Sequence, residues 1–342
     1  MAVPSTSPPV AGPTPAAAAS PHPHPRHTNP FLLYTAVVVL LLLWTMNYLV
    51  AKEGFRQMDA LTLALLRVDL ATLLFLPLLF IERQIREKGR APRHPPAGKE
   101  ILSLVLLGVL GICINQVLFT VGLNYTSVAH SSLIVCIGPV NTLLLARLMG
   151  MERLSAPKVV GITIAFAGVA VLALDQGLSL RAATLRGDLM TLAASLAFTG
   201  YTVLGKRVAG RFSPVTINAY TYVAAALILA PLTVRQGLRL DWRAVGWQGW
   251  WAVVYMAVGT SVLAYLMWFW ALRHLAASRL SAFTYLQPVL GTLLGIFVLH
   301  EQFTRTLAIA GGLVLGGVLL TEWHPAWMAD DEDESIEEPA LG

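Results

Sequence analysis

Residues Leu123–Ser155 read LNYTSVAHSSLIVCIGPVNTLLLARLMGMERLS, and Leu272–Thr304 read LRHLAASRLSAFTYLQPVLGTLLGIFVLHEQFT. The two stretches align without a gap at a separation of 149 positions, pairing Pro139 with Pro288, Glu152 with Glu301, Ser132 with Ser281, Val140 with Val289 and Leu144 with Leu293. Each is a long apolar run with a proline at its middle and a lone glutamate at its close. Proline deletes a helical hydrogen bond and crowds the preceding turn, so each run predicts a helix broken near its centre. A second offset of 154 links Lys52 to Lys206 and Pro77 to Pro231, and a second-half loop shorter by five residues accounts for the change. The chain is a duplication.

Composition says where such a chain resides. Of 342 residues, 56% are hydrophobic and 13% charged, and the mean hydropathy is +0.65. Soluble domains carry about 25% charged residues, so this chain cannot cover itself with a hydrated surface. The net charge of +5 does not imply a nucleic-acid partner, because lysines and arginines stand singly in loops and form no basic stripe. Cys113 and Cys136 lie in apolar runs with no second thiol or histidine at metal-ligand spacing. They read as inert buried thiols.

Residues 1–30 are rich in Pro, Ala, Ser and His and lack the core of a signal peptide. They read as a disordered cytoplasmic leader, in which His22, His24 and His27 are solvated and not metal ligands. Ten apolar runs follow, at 31–51, 60–81, 101–122, 127–149, 157–174, 187–206, 214–233, 248–270, 277–299 and 305–322, each fit to cross a bilayer. Residues 323–342 form an acidic cytoplasmic tail. Lysine and arginine number 15 on the side shared with the N-terminus and 8 on the other, with Arg67 inside a span. Basic residues favour the cytoplasm, so both termini are expected inside. The expected class is an all-α membrane protein of ten transmembrane helices, in halves 31–174 and 187–322. Five spans per half place the second copy upside down relative to the first.

The segments LNYTSVAHSSLI, GPV, LLL and MERLSAPKVVGI in the first half, and YMAVGTSVLAYLMWFWALRHLAASRLSAF, TYLQPV, GTLLGIFVLHEQFT and GG in the second, resemble the EamA-type branch of the drug/metabolite transporter superfamily. The resemblance covers residues 31–322. It implies two inverted five-helix EamA repeats, alternating access, and movement of small metabolites across the cytoplasmic membrane. It leaves the substrate open among amino acids, sugars, nucleotide-linked compounds and drugs.

Several residues could carry that function. Pro139 and Pro288 bend the fourth and ninth spans, either as hinges of a gate or as static packing kinks. Glu152 and Glu301 sit at span ends and read as caps more than as proton carriers. Arg67 and Asp69 are charges inside the second span, where charge is a functional candidate by default. Spaced by two, they do not face each other on a helix. Arg67 suits an anionic or carboxylate substrate, or else a docking salt bridge. Asn47, Asn115, Gln116, Tyr125, Ser131, Asn141, Tyr201, Tyr265, Tyr285 and Gln287 complete the candidate cavity set, since each polar group in a membrane needs a protein or water partner. The resemblance places their spans around a central cavity.

Gly161, Ala165 and Gly168, and the Gly312–Gly316 pair, read as close-packing faces, with a homodimer as a further option. The phosphate-loop-like GYTVLGKR at 200–207 ends in Arg and has no preceding strand, and His300–Glu301 lacks the second histidine of a zinc motif. No cofactor, metal or catalytic residue is expected. The sequence thus predicts a secondary transporter of small polar metabolites such as amino acids, in the export direction, driven by a proton or other ion gradient. Its partners are a small-molecule substrate and the lipid bilayer. The alternatives are a membrane-embedded enzyme and a non-transporting scaffold or sensor.

Overall fold

A computed structural model describes residues 29–88, 95–126, 128–152, 154–175, 185–290 and 305–322. Residues 1–28 and 323–342 with the tail histidines, and the second copy beyond residue 290, including Leu293, Glu301 and Thr304, lie outside the described residues. Among the described residues all regular structure is helical.

Helix α1 (Pro30–Gly54) starts where the sequence changes character. Pro30 occupies the first turn, where its missing N–H is harmless, and Asn29 accepts from the Phe31 amide at 3.0 Å. Helix α2 spans Ala60–Lys88 and α3 spans Lys99–Tyr125. The fourth apolar run is two helices, α4 (Val128–Val135) and α5 (Gly138–Leu148), separated at Cys136–Ile137. Pro139 therefore opens a new helix instead of kinking a continuous one.

Helices α6 (Ala156–Asp175), α7 (Leu185–Ala209), α8 (Pro214–Arg239) and α9 (Trp247–His274) come next. Helix α8 begins as α1 does, with Pro214 in its first turn and Ser213 Oγ accepting from the Thr216 amide at 3.0 Å. Helix α10 (Ala277–Ala282) runs into a 3₁₀ turn at Phe283–Tyr285, then a helical piece over 286–290 that holds Pro288. The interruption thus falls at the repeat-equivalent place in both copies. Helix α11 spans Arg305–Glu322.

The helices α1, α2, α3, α8 and α9 are each long and apolar enough to cross a membrane, while Ala156–Val171 and Ala308–Thr321 are shorter apolar helices.

Packing repeats across the halves. Helix α1 lies against α9, and α7, its repeat equivalent, lies against α3. Helices α2 and α8 pair with each other, as do α5 with α10 and α6 with α11. The α6–α11 crossing is backbone-close: a Cβ on Gly161 would meet Gly317 O at 2.6 Å, and one on Gly168 would meet Ala310 O at 2.8 Å. Gly312 and Gly316 have open space where a Cβ would stand, so the glycine that α11 packs into this crossing is Gly317, outside the motif read from the sequence.

Side-chain bonds fix the directions. Lys52 Nζ, near the end of α1, reaches the carbonyls of Leu123 and Thr126 at the end of α3, at 2.6 and 2.9 Å. Thr126 Oγ1 donates to Asp188 Oδ1, near the start of α7, at 2.5 Å. Helix α7 therefore runs opposite to α1 and α3. Asp188 and Lys206, separated by about 27 Å along α7 at 1.5 Å per residue, mark two opposite faces of the bundle, the Lys52 face and the Glu152 face.

Candidate functional site

Between the halves lies a cavity of about 100 Å³. Helix α1 lines it with Trp44, Asn47 and Tyr48, α2 with Arg67, and α3 with Asn115, Gln116 and Phe119. The broken helices supply Val135, Gly138, Pro139 and Thr142 from the first half and Ser281, Thr284 and Gln287 from the second. Ser195 and Phe198 on α7 and Tyr265 on α9 complete the wall.

Two local irregularities aim the polar groups inward. Helix α3 widens into π-helical turns over Val109–Gln116, and α9 does the same over Met256–Leu263. A π turn rotates the residues beyond it and loosens the backbone bonding, which is why such turns recur at functional sites. The widened part of α9 presents Thr260 and Ser261. Thr260 O accepts from Trp44 Nε1 at 3.3 Å, and Thr260 Oγ1 donates to Asn47 Oδ1 at 3.3 Å. The widened part of α3 ends on Asn115 and Gln116. Asn115 Nδ2 donates to Ala194 O at 3.0 Å, and its Oδ1 accepts from Tyr265 OH at 3.3 Å.

Arg67 is the charge at this site and is 4% exposed. Its Nε donates to Ser261 Oγ at 2.8 Å. Behind it, Tyr222 OH donates to Ser261 O at 3.5 Å and accepts from Gln116 Nε2 at 2.5 Å. Gln116 is 3% exposed, and its Oε1 has no hydrogen-bond partner among the described residues. No carboxylate, Asp69 included, makes an ion pair with Arg67 among the described residues. A buried guanidinium without a counter-ion is costly in a low-dielectric medium. An anionic group entering the cavity would relieve that cost, and the planar fork of arginine suits a carboxylate.

Aromatic rings frame this polar centre. Trp44 meets Phe198 edge-on at 5.6 Å and Tyr265 at 5.9 Å, and Tyr48 meets Phe119 edge-on at 5.4 Å. On the side towards the Glu152 face, Tyr201, Trp268 and Phe269 are fully buried, with Trp268 against Trp44 and Tyr201 between Tyr265 and Phe269.

Of the residues singled out from the sequence, Asn47, Arg67, Asn115, Gln116, Tyr265, Gln287 and Pro139 converge on the cavity. Others are placed elsewhere. Tyr125 is 40% exposed at the end of α3 beneath the Arg186 guanidinium, 4.5 Å from its ring centre. Ser131 is buried 3.5 Å from Thr191 Oγ1. Asn141 is half-buried on α5 outside the lining. Tyr201 packs behind α3 in space that Gly111 leaves open, and Tyr285 is buried beside the second helix break. Pro288, also outside the lining, is partly buried past that break. Trp44, Tyr48, Phe119, Thr142, Ser195, Phe198, Ser281 and Thr284 line the wall without having been candidates. In a chain this apolar, an aromatic facing lipid and one facing a cavity look alike in sequence.

The model of the EamA-like transporter family matches the chain twice, at residues 32–174 and 185–323. An uncharacterized transporter of Bacillus subtilis (strain 168), YyaM, is 33% identical over 231 residues, covering 65% of this chain and 75% of its own. A probable terminal-alkyne amino-acid exporter of Streptantibioticus cattleyicolor is 24% identical over 225 residues, covering 66% of this chain and 74% of its own. One crystal structure superposes with a TM-score of 0.67 at 20% identity, over 88% of this chain and 98% of the other, which supports the fold alone. With two family matches in register with the two copies, and with helices fit to cross a bilayer, the chain is a multi-pass membrane protein that belongs to the EamA-like transporter family.

Proposed function

We propose that the protein is a secondary active transporter that exports small polar metabolites of amino-acid type by alternating access. The observation that carries this reading is the buried Arg67, held by Ser261 in a cavity of amides and aromatics, with no carboxylate beside it among the described residues. Among the described lining residues Arg67 is the one group charged at neutral pH, so the site is complementary to an anionic head. The rings of Trp44, Tyr48, Phe119, Phe198 and Tyr265 suit an apolar body, and the amides suit an amino group. The name of the Streptantibioticus relative, a probable terminal-alkyne amino-acid exporter, points the same way.

In this reading the chain crosses the membrane ten times in two inverted five-helix halves. The opposed directions of α1 and α7, and the matched pairs α1–α9 and α7–α3, support it. The excess of Lys and Arg on the Glu152 face supports a cytoplasmic placement of that face and of both termini.

The test is ligand-induced thermal stabilisation of the detergent-solubilised protein against a panel of amino acids and related carboxylates. Arg67→Ala and Gln287→Ala serve as the cavity variants, and each hit is then loaded into sealed vesicles to measure efflux. Stabilisation that is lost in both variants, together with efflux, is the expected result. Stabilisation that persists in both would place binding outside the cavity. A binding ligand that never crosses the vesicle membrane would end the transporter reading.

A further inference from the structure

Outside the cavity, the Glu152 carboxylate joins two interrupted helices from opposite halves of the molecule. Glu152 lies just past the end of α5, and its side chain is 8% exposed. Its Oε1 accepts from the backbone N–H of Ser278 at 3.1 Å, and its Oε2 accepts from the Ser278 hydroxyl. Lys158 Nζ lies 3.7 Å from the same oxygen, and Lys206 is within electrostatic reach. Gly150 makes this aim possible. Its φ of 67° turns the chain out of α5, with Met151 N bonded back to Ala146 O at 2.9 Å.

The two elements joined here are both half-helices. Helix α5 lies beyond the break at Cys136–Ile137, and α10 ends at the break over Phe283–Tyr285. Each runs from a mid-helix interruption to the Glu152 face, and the two pack against each other. Each also lines the cavity: α5 through Thr142, and α10 through Ser281, about one turn from Ser278. A half-helix that meets a change of regular helical bonding at one end and is tied by a charge-assisted bond at the other can move as a leaf.

We propose that Glu152 is a positioning residue of the transport cycle. It holds α5 of the first half on α10 of the second, closing the cavity towards the Glu152 face, and this contact separates when the cavity opens there. The inference rests on the alternating-access reading above.

The test needs no substrate. Cys113→Ala and Cys136→Ala remove the native thiols, and Ser195→Cys places one thiol in the cavity wall. A membrane-impermeant methanethiosulfonate is then applied to oriented vesicles from either face. Loss of a charge-assisted bond shifts the closed–open balance by about tenfold or more. Glu152→Gln should therefore raise the labelling rate from the Glu152 face, relative to the opposite face, by that order. Ser278→Ala removes one donor, serves where Glu152→Gln does not fold, and should shift the ratio in the same direction by less.

A folded Glu152→Gln or Ser278→Ala protein with the parent's labelling ratio would overturn the proposal, leaving Glu152 as a local tie. The same holds if joining Glu152→Cys to Ser278→Cys with a thiol cross-linker leaves labelling from that face at the parent rate. A parent labelled from neither face would instead remove the cavity reading on which the proposal stands. Failure of every ligand in the stabilisation panel leaves the labelling result untouched, so the two readings fail separately.

Discussion

Lys52 and Lys206 perform the same task in the two halves. Lys52 Nζ binds the carbonyls of Leu123 and Thr126 at 2.6 and 2.9 Å, and Lys206 Nζ binds those of Leu272 and Leu275, both at 2.7 Å. The acceptors are related by the same 149-position offset that pairs the two prolines. Each ammonium satisfies the last carbonyls of the third long helix of its half, where the helix dipole also favours a cation.

Replacing either lysine by methionine keeps the stem and removes the donor. Two carbonyls then lose their partner, at about 1–3 kcal/mol for the site. Lys52→Met and Lys206→Met are expected to lower the melting temperature of the detergent-solubilised protein by similar amounts. A melting temperature unchanged in both would mean that water substitutes fully for the ammonium.

Arg67→Lys keeps the charge but loses both the bond to Ser261 and the planar fork. For a carboxylate ligand identified by thermal stabilisation, affinity should fall by about tenfold or more. Ser261→Ala leaves Arg67 in place with one bond fewer and should reduce affinity by a smaller factor. Equal affinity across all three proteins would place the carboxylate elsewhere.

The α6–α11 crossing gives a contrast within one helix. A Cβ at Gly317 would meet Gly161 O and Ala165 N at 2.5 Å, whereas one at Gly312 meets nothing within 4 Å. Gly317→Leu should destabilise the protein by about 1–3 kcal/mol or more through overpacking. Gly312→Ala should be neutral or slightly stabilising, because alanine favours the helix by up to about 1 kcal/mol. Thermal unfolding of the two variants side by side decides it.

Gly111 and Tyr201 should behave as one unit. A Cβ at Gly111 would lie 2.4 Å from Tyr201 Cδ2. Gly111→Ala is expected to be destabilising in the parent and markedly less so in a Tyr201→Leu background. The coupling read from such a double-mutant cycle should exceed about 0.5 kcal/mol. Additive losses would mean that the ring moves aside freely.

The sequence by itself determined the duplication, the membrane setting, the helical class and the family. These rest on quantities that add along the chain, such as apolar length, charge content and the spacing of Pro139 and Pro288. It also brought Arg67, Asn47, Asn115, Gln116 and Gln287 forward, because a polar group in an apolar run must face protein or water. Tertiary structure decided which of the polar candidates share one space. Tyr125 and Ser131 satisfy the same rule as Asn47, but one lies beneath Arg186 and the other beside Thr191. The π-helical turns that aim Gln116 and Ser261 inward leave no periodic mark, since an inserted backbone turn alters facing without altering composition. Glu152 was legible as a helix-end carboxylate. That its partner is Ser278, 126 residues away in the other half, depended on how two broken helices meet, which no local pattern encodes.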